Sequence, residues 1–225
     1  MGLDADPFRA GAVEHFADSR LGAPAVMRLH STFERSRNPM LLADERRRWV
    51  SGNGASSELL GLSREELPWH KLDEFTPASE REQLDSQWDA FLDTGSAEGW
   101  YQLATPQGPI HVEFSATAAV LPGRHLMVFL LPDEPNVVPE PAWTPVTTEG
   151  SGRLPLTRRE REVMSLVSVG QHTDDLAEVL FLSPETVKSH VKNAMGKLGA
   201  HTRAHAVAIA LMTGQISMDA DSSPP

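Results

Sequence analysis

The chain has 225 residues, a formal net charge of −11, 40% hydrophobic and 23% charged residues, and no cysteine. Such a balance is that of a folded globular protein long enough for two ordinary domains. It leaves no room for disulfides, thiolate chemistry, zinc fingers or iron–sulfur clusters, and suits the cytoplasm. No window approaches 18 consecutive apolar residues, so no membrane span and no membrane partner is expected. The opening "MGLDADPFRA" lacks a basic region followed by an apolar run, so no signal peptide is expected there.

The charge is unevenly placed. Residues 1–149 hold 12 Lys+Arg against 23 Asp+Glu, whereas residues 150–214 hold 8 against 6, balances of −11 and +2. The whole-chain average therefore describes neither half.

In chain order, residues 1–27 read as an N-terminal helical extension. The helix in "APAVMRLHSTFERS" has Val26, Leu29 and Phe33 on one face, either for pairing with a second copy or for capping its own sheet. Met40 to Ala43 reads as a strand, Asp44-Glu45 as a turn, and Arg46 to Val50 as the returning strand. Helical segments follow through "ELLGLSREEL" and Ser79 to Thr94. The stretch "WYQLATPQGPIHVEFSATAAVLPGRHLMVFL" gives three strands. In it Ile110, Val112, Phe114 and Ala116 alternate with His111, Glu113, Ser115 and Thr117, which predicts a sheet with one buried and one wet face.

Residues 133–152 read as a Pro-rich, semi-rigid linker, with Trp143 either docked on a neighbouring domain or exposed. Beyond it the pattern is helical from 153 to 216, and the tail 217–225 is expected to be disordered. Thr157 and Glu160 form a capping box ahead of Val163, Leu166 and Val167, and Gly170 is a plausible stop. A second helix starts near Thr173 and buries Leu176, Ala177 and Leu180.

After the turn Phe181-Leu182-Ser183, Ser183 is an N-cap and Pro184 takes the first helical position. Val187, Val191, Ala194, Met195 and Leu198 then fall on the core arc, while Glu185, Lys188, Ser189 and Lys192 fall on the opposite one. From Ala204 to Met212 only His205 is not apolar. A helix greasy on both faces needs two covers, and a small four-helix unit offers one. The second face predicts a dimer, through Ala204, Val207, Ala208 and Leu211.

A helix, a tight turn and a second helix with a polar outer face make a helix-turn-helix unit, whose second helix enters the DNA major groove. Lys188 and Lys192 suit guanine O6 and N7 or phosphates, Ser189 suits either, and Glu185 suits cytosine N4. Thr186 and Lys197 complete the predicted DNA-binding set. The plainer reading, a solvated face with lysines at i and i+4, is opposed by the caps, the short turn and the doubly apolar last helix.

The pieces "LTRREREV", "LAEVLFLSPETVKSHV", "KLGAHTRAHAV" and "TGQI" resemble the LuxR-type helix-turn-helix domain over its full length. The resemblance implies an all-α four-helix DNA-binding domain acting as a homodimer on an operator with two half-sites. It also implies base contacts at Lys188, Ser189 and Lys192, and RNA polymerase as a further partner. The start of the second helix departs from the family pattern, reading Thr173-Asp174-Asp175 where an Asn-Lys/Arg-Glu-type start is usual. Aspartates suit a helix N-terminus but lie badly against phosphates.

"NPMLLADERRRWVSGNGASSELLGLSREELPWHKLDEFTP" and the three closing strands resemble a PAS domain over residues 28–132. This implies an α+β fold, a five-stranded antiparallel sheet with flanking helices, that senses a signal or mediates dimerisation. No cofactor is predicted. The reactive cysteine of a flavin photosite is absent, and the helix before the third strand carries no histidine for haem. His70 reads as a polar loop residue with a remote haem role, and a small apolar ligand remains open. "HKLDEF" reads as a helix start rather than a metal site.

No Walker A loop, G-x-S-x-G, H-E-x-x-H or GxGxxG occurs, so the chain is not expected to be an enzyme. The first 149 residues hold one lysine, Lys71, against a phosphoacceptor domain, and the single Tyr101 speaks against an acyl-homoserine-lactone pocket. The reading is a cytoplasmic, sequence-specific transcriptional regulator. The alternative is an interaction protein whose helix-turn-helix no longer binds DNA, for which Asp174 and Asp175 are the sign.

Overall fold

The computed structural model describes residues 30–132, 142–145 and 154–216. The expectations for the N-terminal extension, for much of the linker and for the tail fall outside the described residues.

The N-terminal domain is built on one antiparallel sheet. Its strands are β1 (Met40–Ala43), β2 (Trp49–Gly52), β3 (Ser96–Thr105), β4 (Gly108–Leu121), β5 (Arg124–Leu130) and β6 (Ala142–Pro145). They lie in the order β2-β1-β5-β4-β3-β6. The sixth strand is a departure from the expected five. It comes from the segment read as linker, and Trp143 is the docked residue of the two possibilities, its ring centroid 4.8 Å from that of Phe114 and 6.1 Å from that of Tyr101.

Two helices close the inner face. In α1 (Gly54–Leu60) the Asn53 side chain is the N-cap, its Oδ1 accepting from the Ser56 and Met40 amides while Nδ2 donates to the carbonyls of Ser36 and Asn38. One amide thus ties the helix start to β1 and to the chain ahead of it. In α2 (Arg81–Thr94) Leu84, Trp88 and Phe91 recur at helical spacing and are buried. They meet Trp49, Leu60, Tyr101, Phe114 and Phe129 in one apolar cluster. Burying each such side chain contributes about 1.5–3 kcal/mol.

The returning strand begins at Trp49, later than its expected start at Arg46. Arg47 has φ 63, and Asp44 Oδ1 accepts from the amides of Arg46 and Arg48, so these residues form a turn. Arg47 is no freely solvated member of its arginine run, since its guanidinium bonds both Asp73 and Asp85. "LDEF" forms a short 3-10 turn rather than an α-helix.

The C-terminal domain has four helices, α3 (Arg158–Ser168), α4 (Thr173–Leu180), α5 (Pro184–Leu198) and α6 (Arg203–Met212). The Thr157–Glu160 capping box forms in both directions. Gly170 takes φ 88 directly after the helix end, where a left-handed residue is needed.

The largest difference from expectation lies on the outer sheet face. The alternation on β4 is real, but Glu113, Ser115 and Thr117 are buried along with Val112, Phe114 and Ala116. The face read as wet is covered by α6. Met40, Leu42, Val120, Leu126 and Val128 of the sheet join Val207, Ala208 and Leu211 in a single cluster. The second cover that α6 requires is therefore the chain's own sheet, so its apolarity does not by itself call for another copy.

Candidate nucleic-acid interface

The helix-turn-helix unit is α4, its turn and α5. The turn closes without glycine: Phe181 sits at φ 54, its amide bonded to the Glu178 carbonyl, and the Leu182 amide reaches Ala177. A side chain in that region costs roughly 1–2 kcal/mol. Arg159 steadies the turn by donating from Nη2 to the Leu180 carbonyl at 2.7 Å. The Phe181 side chain itself is 95% exposed, a feature that sequence reading gave no role.

Ser183 caps α5, its Oγ accepting from the Thr186 amide at 3.1 Å. Val187, Val191, Ala194 and Leu198 anchor the inner face in the core. Glu185, Lys188, Ser189 and Lys192 all remain exposed on the other side. Four of the six predicted DNA-binding residues therefore share one accessible face.

The other two are engaged elsewhere. Thr186 is half-buried, with Oγ1 2.8 Å from Ser183 Oγ in the cap. Lys197 donates from Nζ to Oε2 of the buried Glu160 at 2.7 Å, joining the last turn of α5 to the start of α3. Burial pushes the Glu160 carboxyl up, but bonds from Lys197 and Thr157 outweigh this and hold it below its ordinary value. Asp174 and Asp175 lie exposed in the first turn of α4.

The predicted dimerisation residues Ala204, Val207, Ala208 and Leu211 are all buried within the chain. Around them lies a polar set that sequence reading missed. Glu98 of β3 receives the Thr202 amide at 3.1 Å and the Thr202 hydroxyl at 2.8 Å on Oε2. Its Oε1 lies 2.7 Å from His201 Nδ1, and Oε2 lies 2.7 Å from His205 Nδ1. The close approach of His205 does not meet hydrogen-bonding geometry. Glu113 of β4 accepts from the Ala204 amide at 2.8 Å. The signal available was two glutamates on the polar alternation of adjacent strands, but it reads equally well as solvated surface.

The C-terminal domain also meets the entry to β1. Ser36 Oγ donates to the Ser168 carbonyl at 2.6 Å, Asn38 Nδ2 to Val167 at 2.7 Å, and the Arg37 amide to Val169 at 3.1 Å. Between the two domains a cleft of about 420 Å³ is lined by Lys188, Lys192, Trp100, Glu113, Met195 and His201, among others.

His70 Nδ1 lies 2.7 Å from Glu74 Oε2, and His111 pairs with Gln102 at 3.2 Å. His125 is buried edge-on to Trp88 and Phe91, and desolvation lowers its pKa. No group of three potential metal ligands is found among the described residues, and no described helix is long and apolar enough to cross a membrane.

Residues 154–210 match the family described as bacterial regulatory proteins, luxR family, and residues 33–131 match the PAS fold. The spore germination protein GerE of Bacillus subtilis is 43% identical over 63 residues, 28% of this chain and 85% of that protein. The transcriptional activator protein BjaR1 of Bradyrhizobium diazoefficiens is 34% identical over 111 residues, 49% of this chain. That alignment spans only 42% of BjaR1. A solved VqmA dimer of Vibrio cholerae, described as a LuxR-type receptor, is 23% identical, covering 84% of this chain and 88% of that one. Its TM-score is 0.36.

Proposed function

Since the chain belongs to the luxR family of bacterial regulatory proteins, whose relatives include transcriptional activators and regulatory proteins rather than enzymes, we propose that it is a sequence-specific DNA-binding regulator. The observation that carries the reading is the exposed face of α5, on which Glu185, Lys188, Ser189 and Lys192 stand together at the N-terminal half of a doubly capped helix. That half of a second helix is the part that meets base edges in the major groove.

The operator has two half-sites and is bound by a homodimer, with RNA polymerase as a later partner in the cytoplasm. These expectations follow from family resemblance. The PAS domain receives a signal or helps to pair the chains. Its inner face is filled by Trp49, Trp88, Phe91, Phe114 and Phe129, so a ligand there has to displace large side chains.

A second reading is favoured by one observation. Asp174 and Asp175 are exposed in the first turn of the helix preceding α5, where they oppose phosphate. On that reading the helix-turn-helix is a protein-interaction surface. Selection of bound sequences from a random duplex pool separates the two. An enriched motif with two related half-sites supports the regulator, and a pool that stays random contradicts it.

A further inference from the structure

We infer that Gly196 is where α5 seats against the sugar–phosphate wall of the groove it reads, a position left bare so that the DNA backbone can approach the helix. The inference rests on the DNA-binding reading above. It adds a positioning residue to the exposed side chains of α5.

The fold gives glycine no task at this position. Gly196 lies inside α5, and the left-handed residue that ends the helix is Gly199, at φ 67. A Cβ built at Gly196 meets nothing among the described residues within 4 Å. At Gly52, by contrast, a Cβ would lie 2.4 Å from Ser56 Oγ, so there packing itself demands glycine. Glycine within a helix loses more backbone freedom on folding than alanine does, which lowers the folding constant roughly two- to fivefold. At Gly196 nothing inside the chain compensates for that loss.

The position on the helix is the telling one. Val187, Val191, Ala194 and Leu198 hold the buried arc of α5, and Gly196 is exposed on the opposite side. Glu185, Ser189, Lys192 and Gly196 follow one another at helical spacing, in one row down the exposed face. The first three members of the row carry polar side chains, and the last carries none.

Depth along the axis says what the end of the row meets. Gly196 stands about 10 Å beyond Ser189, two turns toward the C-terminus. The N-terminal half of such a helix lies on base edges, in a major groove about 12 Å wide. The last full turn then reaches the margin of the groove, where the facing surface is deoxyribose and phosphate. Contacts to that surface fix the register of a protein on the duplex without reading sequence. Here the requirement is clearance. A bare backbone lets α5 lie deep enough for Lys188, Ser189 and Lys192 to touch bases together, and any side chain at this position holds the far end of the helix off.

Gly196→Ala and Gly196→Met in the full-length chain test this, because both put a better helix former into open space. Both should unfold at the parent's denaturant midpoint or above it. Operator binding should nevertheless weaken, at least about fivefold for methionine, the equivalent of one lost base contact, and by less for alanine. Binding to random duplex, which needs only phosphate attraction, should stay as in the parent. Operator affinity equal to the parent's in both variants would overturn the inference. So would an equal loss on random duplex, or a lowered unfolding midpoint, since either would give Gly196 a different role. A parent chain that enriches no sequence from the duplex pool removes the DNA-binding reading itself, and this inference with it.

Discussion

His205 of the last helix places Nδ1 2.7 Å from Oε2 of Glu98 on the PAS sheet, with the two side chains 5% and 2% exposed. A buried carboxylate of this kind resists loss of the groups that face it, because its charge is then stranded without water, at a cost of about 3–5 kcal/mol. Glu98 also holds His201 and both donors of Thr202, so it is the polar centre of the domain contact.

Acid should therefore loosen the contact. Burial pushes the Glu98 carboxyl up, but His205, Thr202 and His201 more than offset this and hold it at about 2, against an ordinary value of 4.5. A carboxylate depressed in the folded form contributes stability that is fully present above its ordinary value and lost as pH falls through the depressed one. The contribution, on the order of 3 kcal/mol, should fade between about pH 4.5 and 2. Thermal melts across that range should show a steeper acid decline for the parent than for Glu98→Gln. Parallel declines would remove Glu98 from this role.

Lys188→Ala and Lys192→Ala should each weaken operator binding by about 1–3 kcal/mol where the lysine reads a base, and relax preference at that position. Where it meets phosphate, the loss should be uniform across sequences. Competition titrations with single-base operator variants distinguish the two. Unchanged binding with both lysines removed would mean that α5 is not the reading helix.

Lys197→Ala should behave differently from those two. Its ammonium neutralises the buried Glu160 across α3 and α5. Hydrogen bonds to charged groups contribute about 1.5–3 kcal/mol, so the substitution should lower the stability of the C-terminal domain by that order. Denaturant unfolding followed from that domain reads the loss directly. An unchanged unfolding midpoint with weakened DNA binding would return Lys197 to the DNA contact set.

Phe181→Gly should stabilise the helix-turn-helix. The residue holds φ 54 with its ring in solvent, so glycine relieves strain of about 1 kcal/mol and loses almost no packing. A higher unfolding midpoint is expected. A lower one would show that the exposed ring is held by something the folded chain supplies.

Much of the molecule is legible from local chemistry. The caps at Thr157 and Ser183 and the core positions Val187, Val191, Ala194 and Leu198 of α5 depend on residues a few positions apart, and each forms as read. What escapes is what depends on which face meets which. Glu98 and Glu113 carry the polar alternation of a wet sheet surface, and only the docked C-terminal domain makes that surface dry. The two apolar faces of α6 state that two covers are needed without saying whether the second comes from another chain or from this one. Lys197 looks like any lysine near a helix end until folding brings Glu160, 37 positions away, to 2.7 Å. Trp143 offers no local pattern at all, because its strand is defined by pairing with β3.

If the exposed face of α5 binds duplex DNA, operator affinity must depend steeply on salt. Phosphate contacts release condensed counterions, so log affinity should fall linearly with log salt, with a slope of about −0.9 for each phosphate neutralised. Fluorescence anisotropy titrations of the full chain on its selected operator, at several salt concentrations, should give a steep negative slope. Replacing Lys188 or Lys192 at a phosphate contact should make it shallower by about one. A flat response, or no binding at the lowest salt, would contradict the account.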